Sequence, residues 1–288
     1  MRSTITVVVP SLNDASFLAN CLDALARQTR PADEIVVVDN GSSDDTRAVA
    51  EARGARVVDE PVRGIWPATA RGFDEARGEI LARLDADSVP APDWLAEVER
   101  RMVAPDRPTI VTGGGVFYGG NAGLRWIARY IYIGGYFTVI GAVLGHSPVF
   151  GSNYALRADA WAVLREVVHR DRADVHDDLD LAWRLQPGMT VARDRALVVG
   201  VSARPFDSWA GLGRRIRMAF HTLAVEWRAW PPVRRRVERA RGARAGLRAA
   251  DAGSDVIRPE PPFARGAVDE ARELDRDDGE PEPPPVAA

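Results

Sequence analysis

Asp33-Glu34-Ile35-Val36-Val37-Val38-Asp39-Asn40-Gly41-Ser42-Ser43-Asp44-Asp45-Thr46 holds a strand, a turn and a helix start in succession. The near-continuous apolar run from Glu34 to Val38 is the pattern of a strand covered on both faces. Asp39-Asn40-Gly41 then supplies turn chemistry, and Asp44 and Asp45 suit the positive end of the helix that follows. The same rhythm extends outward in both directions. Upstream, Ile5 to Val9 reads as a buried strand, and Ser16 can cap a helix with Phe17, Cys21, Leu22 and Leu25 on one face. Downstream come a short strand at Val57-Val58, a helix with Pro67 in its first turn running to about Arg77, and a strand from Glu79 to Leu84. Alternation of this kind predicts an α/β fold, a Rossmann-like and mostly parallel sheet flanked by helices.

Sites in such sheets lie beyond the carboxyl ends of the strands. Three strands end in polar clusters: Ser11-Leu12-Asn13-Asp14, Asp39-Asn40-Gly41 and Asp85-Ala86-Asp87. Parallel topology brings them to one rim, where their carboxylates repel each other unless a cation or a donor-rich ligand sits among them.

Composition removes other chemistries. All 38 basic residues are arginine and none is lysine, which excludes a P-loop, a Schiff-base enzyme and a protein kinase. The net charge of -3 argues against a nucleic-acid partner. The single Cys21 excludes a disulfide framework and fits a reducing compartment. Ile5 to Val9 is too short for an export segment, so a cytoplasmic location is expected.

Beyond the first hundred residues, Thr109 to Tyr118 reads as a strand interrupted by Gly113-Gly114-Gly115. Trp126 to Leu144 is strongly apolar, but Arg129 and its glycines count against a membrane span. Buried helices are the favoured reading, with an interfacial segment as the other. Helices are expected from about Ala158 to Val168, from His176 onward and from Trp209 to Trp230, with a strand at Ala196 to Val201. From Pro231 the chain turns Arg-rich, then acidic and proline-rich, and residues 231–288 read as a disordered tail.

The order of these pieces resembles a family 2 glycosyltransferase of the GT-A fold, over roughly Ile5 to Phe220. Val7 to Asp14 is similar to the family's opening strand and turn, and Asp33 to Thr46 to its second strand. Gly64 to Gly72, with Arg71, resembles the helix along the diphosphate. Asp85-Ala86-Asp87 stands at the Asp-x-Asp position, and Asp177-Asp178-Leu179-Asp180-Leu181 where the family carries an acidic pair before leucine. The resemblance implies a catalytic domain over residues 1–230, with 1–118 as the nucleotide-binding half and 119–230 as the acceptor half. It implies inverting transfer of one sugar from a nucleotide-sugar donor, a UDP-sugar foremost, to a sugar or lipid-linked acceptor hydroxyl.

Roles carry over residue by residue. Asp87 is expected to bind a divalent metal, Mn2+ or Mg2+, as the Lewis acid that a lysine-free diphosphate site requires. Asp85 would face the ribose or the metal's water shell. Asp39 would accept from the base while also serving as an Asx turn over Gly41. Pro10, Ser11, Asp14 and Ala86 would complete the nucleotide pocket, and Arg71 would reach the phosphates. Asp178 is the expected general base, with Asp177 as the alternative. Gly151-Ser152-Asn153 resembles the floor of the acceptor side.

Two departures matter. Asp177 replaces the usual Glu. The Gln-x-x-Arg-Trp signature of processive synthases is reduced to Arg217 within Arg214-Arg215-Ile216-Arg217-Met218, which favours single-sugar transfer. His146 and His176 lack partners at metal-ligand spacing and read as structural. The haloacid-dehalogenase arrangement is disfavoured because the first strand has no Asp-x-Asp, and a dehydrogenase because no Gly-x-Gly-x-x-Gly follows it. A non-catalytic binder or membrane-associated scaffold of the same fold is the remaining alternative. Trp227, Trp230 and the Arg234 to Arg248 run, with the Trp126 to Leu144 segment, suggest contact with the inner face of a membrane.

Overall fold

The computed structural model describes residues 2–118, 133–204 and 209–251. In chain order the elements are β1 (Ile5–Ser11), α1 (Ala15–Ala26), β2 (Glu34–Asp39), α2 (Thr46–Ala52), β3 (Arg56–Asp59), α3 (Ile65–Glu75) and β4 (Ile80–Arg83). Then follow β5 (Val89–Pro90), α4 (Trp94–Met102), β6 (Ile110–Tyr118), a π-helical turn (Tyr136–Ile140), α5 (Gly141–Leu144) and β7 (Tyr154–Arg157). The last are α6 (Ala158–Leu164), α7 (Asp177–Trp183), β8 (Val191–Ser202), α8 (Trp209–Ala229) and α9 (Pro232–Asp251).

One eight-stranded sheet runs in the order β3-β2-β1-β4-β7-β6-β8-β5. Strands β3, β2, β1 and β4 are parallel, as expected. Beyond them the sheet is mixed, because β7 lies antiparallel to both β4 and β6, while β6 and β8 are parallel. Registers align the strand ends: Ser11 faces Asp39, and Asp39 faces Asp59. Alternation along β1 divides the core between two faces. Val8 packs with Trp66, Phe73 and Trp161 on one side, while Val7 and Val9 pack with Leu18, Cys21 and Leu22 on the other.

Strand β5 follows β4 in sequence yet pairs with β8 at the far end of the sheet, with Val89 opposite Gly200. This crossing curls the sheet and sets Asp85 to Pro90 against the end of β8. The two-residue strand leaves no periodic signal, and the sequence reading did not contain it. Gly113 to Gly115 do not interrupt β6; they produce a register shift against β8 between Thr112 and Gly114.

Residues 126–132 of the apolar segment lie outside the described residues. In the remainder, Ile133 and Phe137 are buried with Phe117 and Val201, and Leu144 is buried in the main core, whereas Val139 is exposed. No helix among the described residues is long and apolar enough to cross a membrane.

The expectation of disorder from Pro231 is corrected over 232–251, which form α9. Arg235 and Arg239 act as anchors, while Arg234 and Arg236 remain exposed. Arg235 is buried and donates to the carbonyls of Leu144 (2.6 Å), Ala182 (3.0 Å) and Trp183 (2.8 Å). Arg239 donates to Leu185, Gln186 and Met189. Cations satisfying carbonyls just past a helix C-terminus are favoured by the helix dipole. The acidic, proline-rich stretch 252–288 lies outside the described residues.

Candidate active site

Arg83, the last residue of β4, carries the only charge in an otherwise apolar strand, and its side chain is 2% exposed. Its guanidinium is 2.8 Å from Asp85 Oδ1 and 3.3 Å from Asp177 Oδ2, and it donates to the Gly151 carbonyl. Burial opposes its charge, but Asp85 and Asp177 outweigh that and hold its proton firmly. Asp177 is itself buried and also accepts from Thr69 Oγ1 at 3.2 Å. Its neighbour Asp178 stays partly exposed, with Oδ2 accepting the Gly151 N–H at 2.9 Å. Burial, then the negative charge of Asp177, pushes the Asp178 carboxyl up to about 6.

The Gly151-Ser152 turn therefore touches both acidic clusters. While Gly151 holds Arg83 and Asp178, Ser152 Oγ donates to Asp85 Oδ2. A Cβ at Gly151 would stand 3.0 Å from Asp178 Oδ2 and 3.1 Å from Arg83 Nη1, so a side chain here would press on both groups. Asn153 differs from the expected acceptor-side role. It is fully buried, accepts from Trp94 Nε1 at 2.8 Å and donates to Gly114 and Leu197 carbonyls, which engages it inside the sheet.

At the β2 end, buried Asp39 accepts from Ser42 N–H at 2.8 Å, the Asx-turn geometry, with Gly41 at φ 83°. Asn40 braces the loop by donating to Glu60 and Val62 carbonyls and accepting from Gly64 N–H. Pro10 lies opposite Val38, and the Ser11 Oγ beside Asp39 is buried without a partner among the described residues. Ala86 is turned into the core. Arg71 pairs within its own helix with Glu75 at 3.1 Å, and Arg217 is exposed on α8. Neither makes a bond to Asp85, Asp87 or Asp178 among the described residues.

Asp87 has one oxygen engaged. Arg204, just past β8, lies 3.0 Å from Asp87 Oδ2 and 2.8 Å from Asp14 Oδ1. Asp87 Oδ1 has no protein donor among the described residues. Even so, burial and then the charge of Asp85 hold the Asp87 carboxyl above its ordinary range despite Arg204.

Behind the pair, α7 is locked by a buried ionic network. Asp180 Oδ2 accepts from Trp66 Nε1 (2.6 Å) and from His169 N–H (2.8 Å), and its Oδ1 lies 2.9 Å from His169 Nδ1. Glu226 from α8 is 3.0 Å from His169 and 2.8 Å from Arg184. Burial lowers the His169 proton affinity, yet Asp180 and Glu226 prevail and raise it to about 9. His169, Asp180 and Glu226 are close enough to hold a metal ion, but Arg184 and protonated His169 already supply the positive charge. His146 is structural as expected, bonded to Arg235 at 2.6 Å and driven down to about 3 by burial and then Arg235. Arg83, Ser152's link to Asp85, Trp66, His169 and Arg204 escaped the sequence reading. An arginine inside an apolar strand was the one available signal, at Arg83.

The chain is 33% identical over 99 residues to glycosyltransferase AglE of Haloferax volcanii, covering 32% of this chain and 33% of that one. It is 34% identical over 128 residues to a PGL/p-HBAD biosynthesis glycosyltransferase of Mycobacterium bovis, covering 42% and 49%. The chain thus spans between a third and a half of the length of these curated relatives. Among solved structures, glucosyl-3-phosphoglycerate synthase from Mycobacterium tuberculosis, in complex with Mn2+, UDP and phosphoglyceric acid, superposes with a TM-score of 0.56 at 25% identity, covering 78% of each chain. A Pyrobaculum calidifontis mannosyltransferase shares the fold, with a TM-score of 0.63 at 21% identity, covering 96% of this chain and 80% of that one. Residues 6–162, more than half of the chain, match Glycosyl transferase family 2, and the chain belongs to that family.

Proposed function

We propose that the chain transfers a single sugar, with inversion, from a nucleotide-sugar donor to an acceptor hydroxyl in a metal-dependent reaction. The observation that carries this reading is the Gly151-Ser152 turn, which ties Asp85 at the donor rim to Asp178 at the start of α7. A donor-side carboxylate and a partly exposed carboxyl with raised proton affinity are thereby held in one rigid frame.

Asp39 and Ser11 are suited to the base and ribose, because the buried Ser11 Oγ lacks a partner among the described residues. Asp87 fits a divalent cation: among the described residues one of its hard carboxylate oxygens has no protein donor, and the Asp85 carboxylate adds negative charge beside it. Such a cation on Asp87 supplies charge neutralisation to the leaving diphosphate. Mn2+ and UDP accompany the related synthase from Mycobacterium tuberculosis, which supports the same pairing here. In the transfer itself, Asp178 takes the acceptor hydroxyl proton as that oxygen bonds to the anomeric carbon. The carbon–oxygen bond to the diphosphate breaks, and its electron pair leaves with the diphosphate. A base titrating near 6 is ionised at neutral pH. Asp177, buried between Arg83 and Thr69, holds Arg83 in place. On this reading residues 1–118 form the nucleotide half and 119–230 the acceptor half.

The acceptor is proposed to be lipid-linked and presented at the inner face of a membrane. Ile216, Phe220 and Trp227 are exposed on α8, and Val233 and Val237 on α9, interleaved with exposed Arg215, Arg217, Arg228, Arg234 and Arg236. That mixture suits an anionic lipid surface. Flotation with anionic vesicles at low salt is expected to carry the protein, and its full retention in the soluble fraction overturns this part. The transfer itself is tested by a nucleotide-sugar screen with and without Mn2+, reading nucleoside diphosphate release. Mn2+-dependent release from a UDP-sugar is expected; neither binding nor turnover of any donor overturns the proposal.

A further inference from the structure

The acidic rim requires a cation, and the fold supplies one of its own. Asp14 comes from the turn after β1 and Asp87 from the loop after β4, and Arg204 reaches both from the end of β8. Its guanidinium carbon also lies over the Phe17 ring, 3.8 Å from the centroid. The backbone around it is held on both sides. Arg204 N–H donates to Ser202 Oγ, Ala203 N–H donates to the Tyr118 carbonyl, and the Tyr118 hydroxyl donates to the Asp87 carbonyl at 2.6 Å. Arg204 and Asp87 are therefore set at a fixed spacing by their main chains, while the Arg204 side chain remains 42% exposed.

A planar guanidinium fork matches phosphate as well as carboxylate. Arg83 is shared between Asp85 and Asp177, and Arg204 is the counter-charge that reaches Asp14 and Asp87. A divalent cation entering at Asp87 Oδ1 stands beside Arg204 on Oδ2, and the repulsion between the two positive charges weakens the hold of each on that one carboxylate. Once the cation is bound, the freed half of the fork loses its anionic partner, and the nearest chemistry able to replace it is a diphosphate.

We infer that Arg204 is a donor-binding residue that holds Asp87 in the free protein and exchanges it for the donor diphosphate when a divalent cation takes that carboxylate. This rests on the nucleotide-sugar reading of the same rim. The consequence is coupling: the cation binds weakly alone because the Arg204 charge beside it opposes it, and more tightly once the diphosphate has drawn Arg204 away. By linkage the diphosphate gains the same factor from the cation.

The test measures Mn2+ binding by the electron paramagnetic resonance signal of free Mn2+, and UDP and GDP binding by calorimetry with and without Mn2+. Wild type, R204Q and R204K are compared after a thermal melt confirms folding. R204Q is expected to bind Mn2+ alone about fivefold more tightly, because the opposing charge is gone, and to bind UDP at saturating Mn2+ about tenfold more weakly. R204K, which keeps the charge without the fork, is expected to bind Mn2+ like wild type. Mn2+ affinity unchanged or weakened in R204Q, or UDP affinity insensitive to the substitution, overturns the exchange. A wild-type protein that binds Mn2+ but neither UDP nor GDP overturns the donor reading instead, and the diphosphate role of Arg204 falls with it.

Discussion

Replacing Asp178 by asparagine is expected to abolish most transfer while making the folded protein more stable at neutral pH. Burial and the neighbouring Asp177 raise the Asp178 carboxyl from 3.8 to about 6. In the unfolded chain the group ionises at its ordinary value, so the fold carries the cost of holding this charge. At roughly 1.4 kcal/mol per pH unit, that cost is at most about 3 kcal/mol, and partial solvent access reduces it to about 1–3 kcal/mol. Below pH 3.8 both states are protonated and the cost is absent. Between 3.8 and about 6 only the unfolded chain ionises, so stability falls as pH rises; above about 6 the full cost is present. Asp178→Asn removes it and keeps an oxygen for the Gly151 N–H, which Asp178 Oδ2 accepts at 2.9 Å. Urea denaturation followed by tryptophan fluorescence is therefore expected to show a gain of about 1–3 kcal/mol at pH 8 and under about 1 kcal/mol at pH 4. Transfer is expected to fall by about 10²- to 10⁴-fold. A variant that is destabilised at pH 8, or whose gain is the same at both pH values, refutes the reasoning.

Other perturbations test neighbouring parts of the argument. The wild-type kcat/KM is expected to rise about tenfold per pH unit below about 6 and level off above it; a flat profile down to pH 5 removes Asp178 as base. Asp180→Asn breaks the network joining Trp66, His169, Arg184 and Glu226, and denaturation should show a loss of about 3–5 kcal/mol. A loss under about 1 kcal/mol would mean that the ionic lock does not hold α7. Truncation after Ala229 removes the buried Trp230 and Arg235, with an expected loss of at least about 3 kcal/mol. An unchanged melting curve would restore the view of this end as a dispensable tail.

Much of the fold was legible because its first half is local. Val36 to Val38 announce a strand buried on both faces, and β1, β2 and β4 fall where the apolar runs place them. The rim was legible for the same reason, since Asp39 and Asp85 to Asp87 follow directly from those strands. Asn153 was misread because a glycine turn looks the same whether it faces a ligand or a sheet, and only the hydrogen bonds to Trp94, Gly114 and Leu197 separate the cases. Arg235 and Arg239 were misread because charge density signals solvation until a specific set of carbonyls is there to accept from them. Arg235 finds those carbonyls on α5 and α7, roughly fifty to ninety residues upstream.

The sequence by itself determined that carboxylates from successive parallel strands would crowd one edge and demand positive charge there. Which cations answer that demand was decided only in three dimensions. Arg83 is turned inward to bind Asp85 and Asp177, and Arg204 arrives from 117 residues beyond Asp87 and 190 beyond Asp14. The physical reason is β5: two residues that pair with β8 rather than with their sequence neighbours bend the sheet until its last strand meets its first acids. Periodicity records how each segment covers itself from water, and it carries no record of such a pairing.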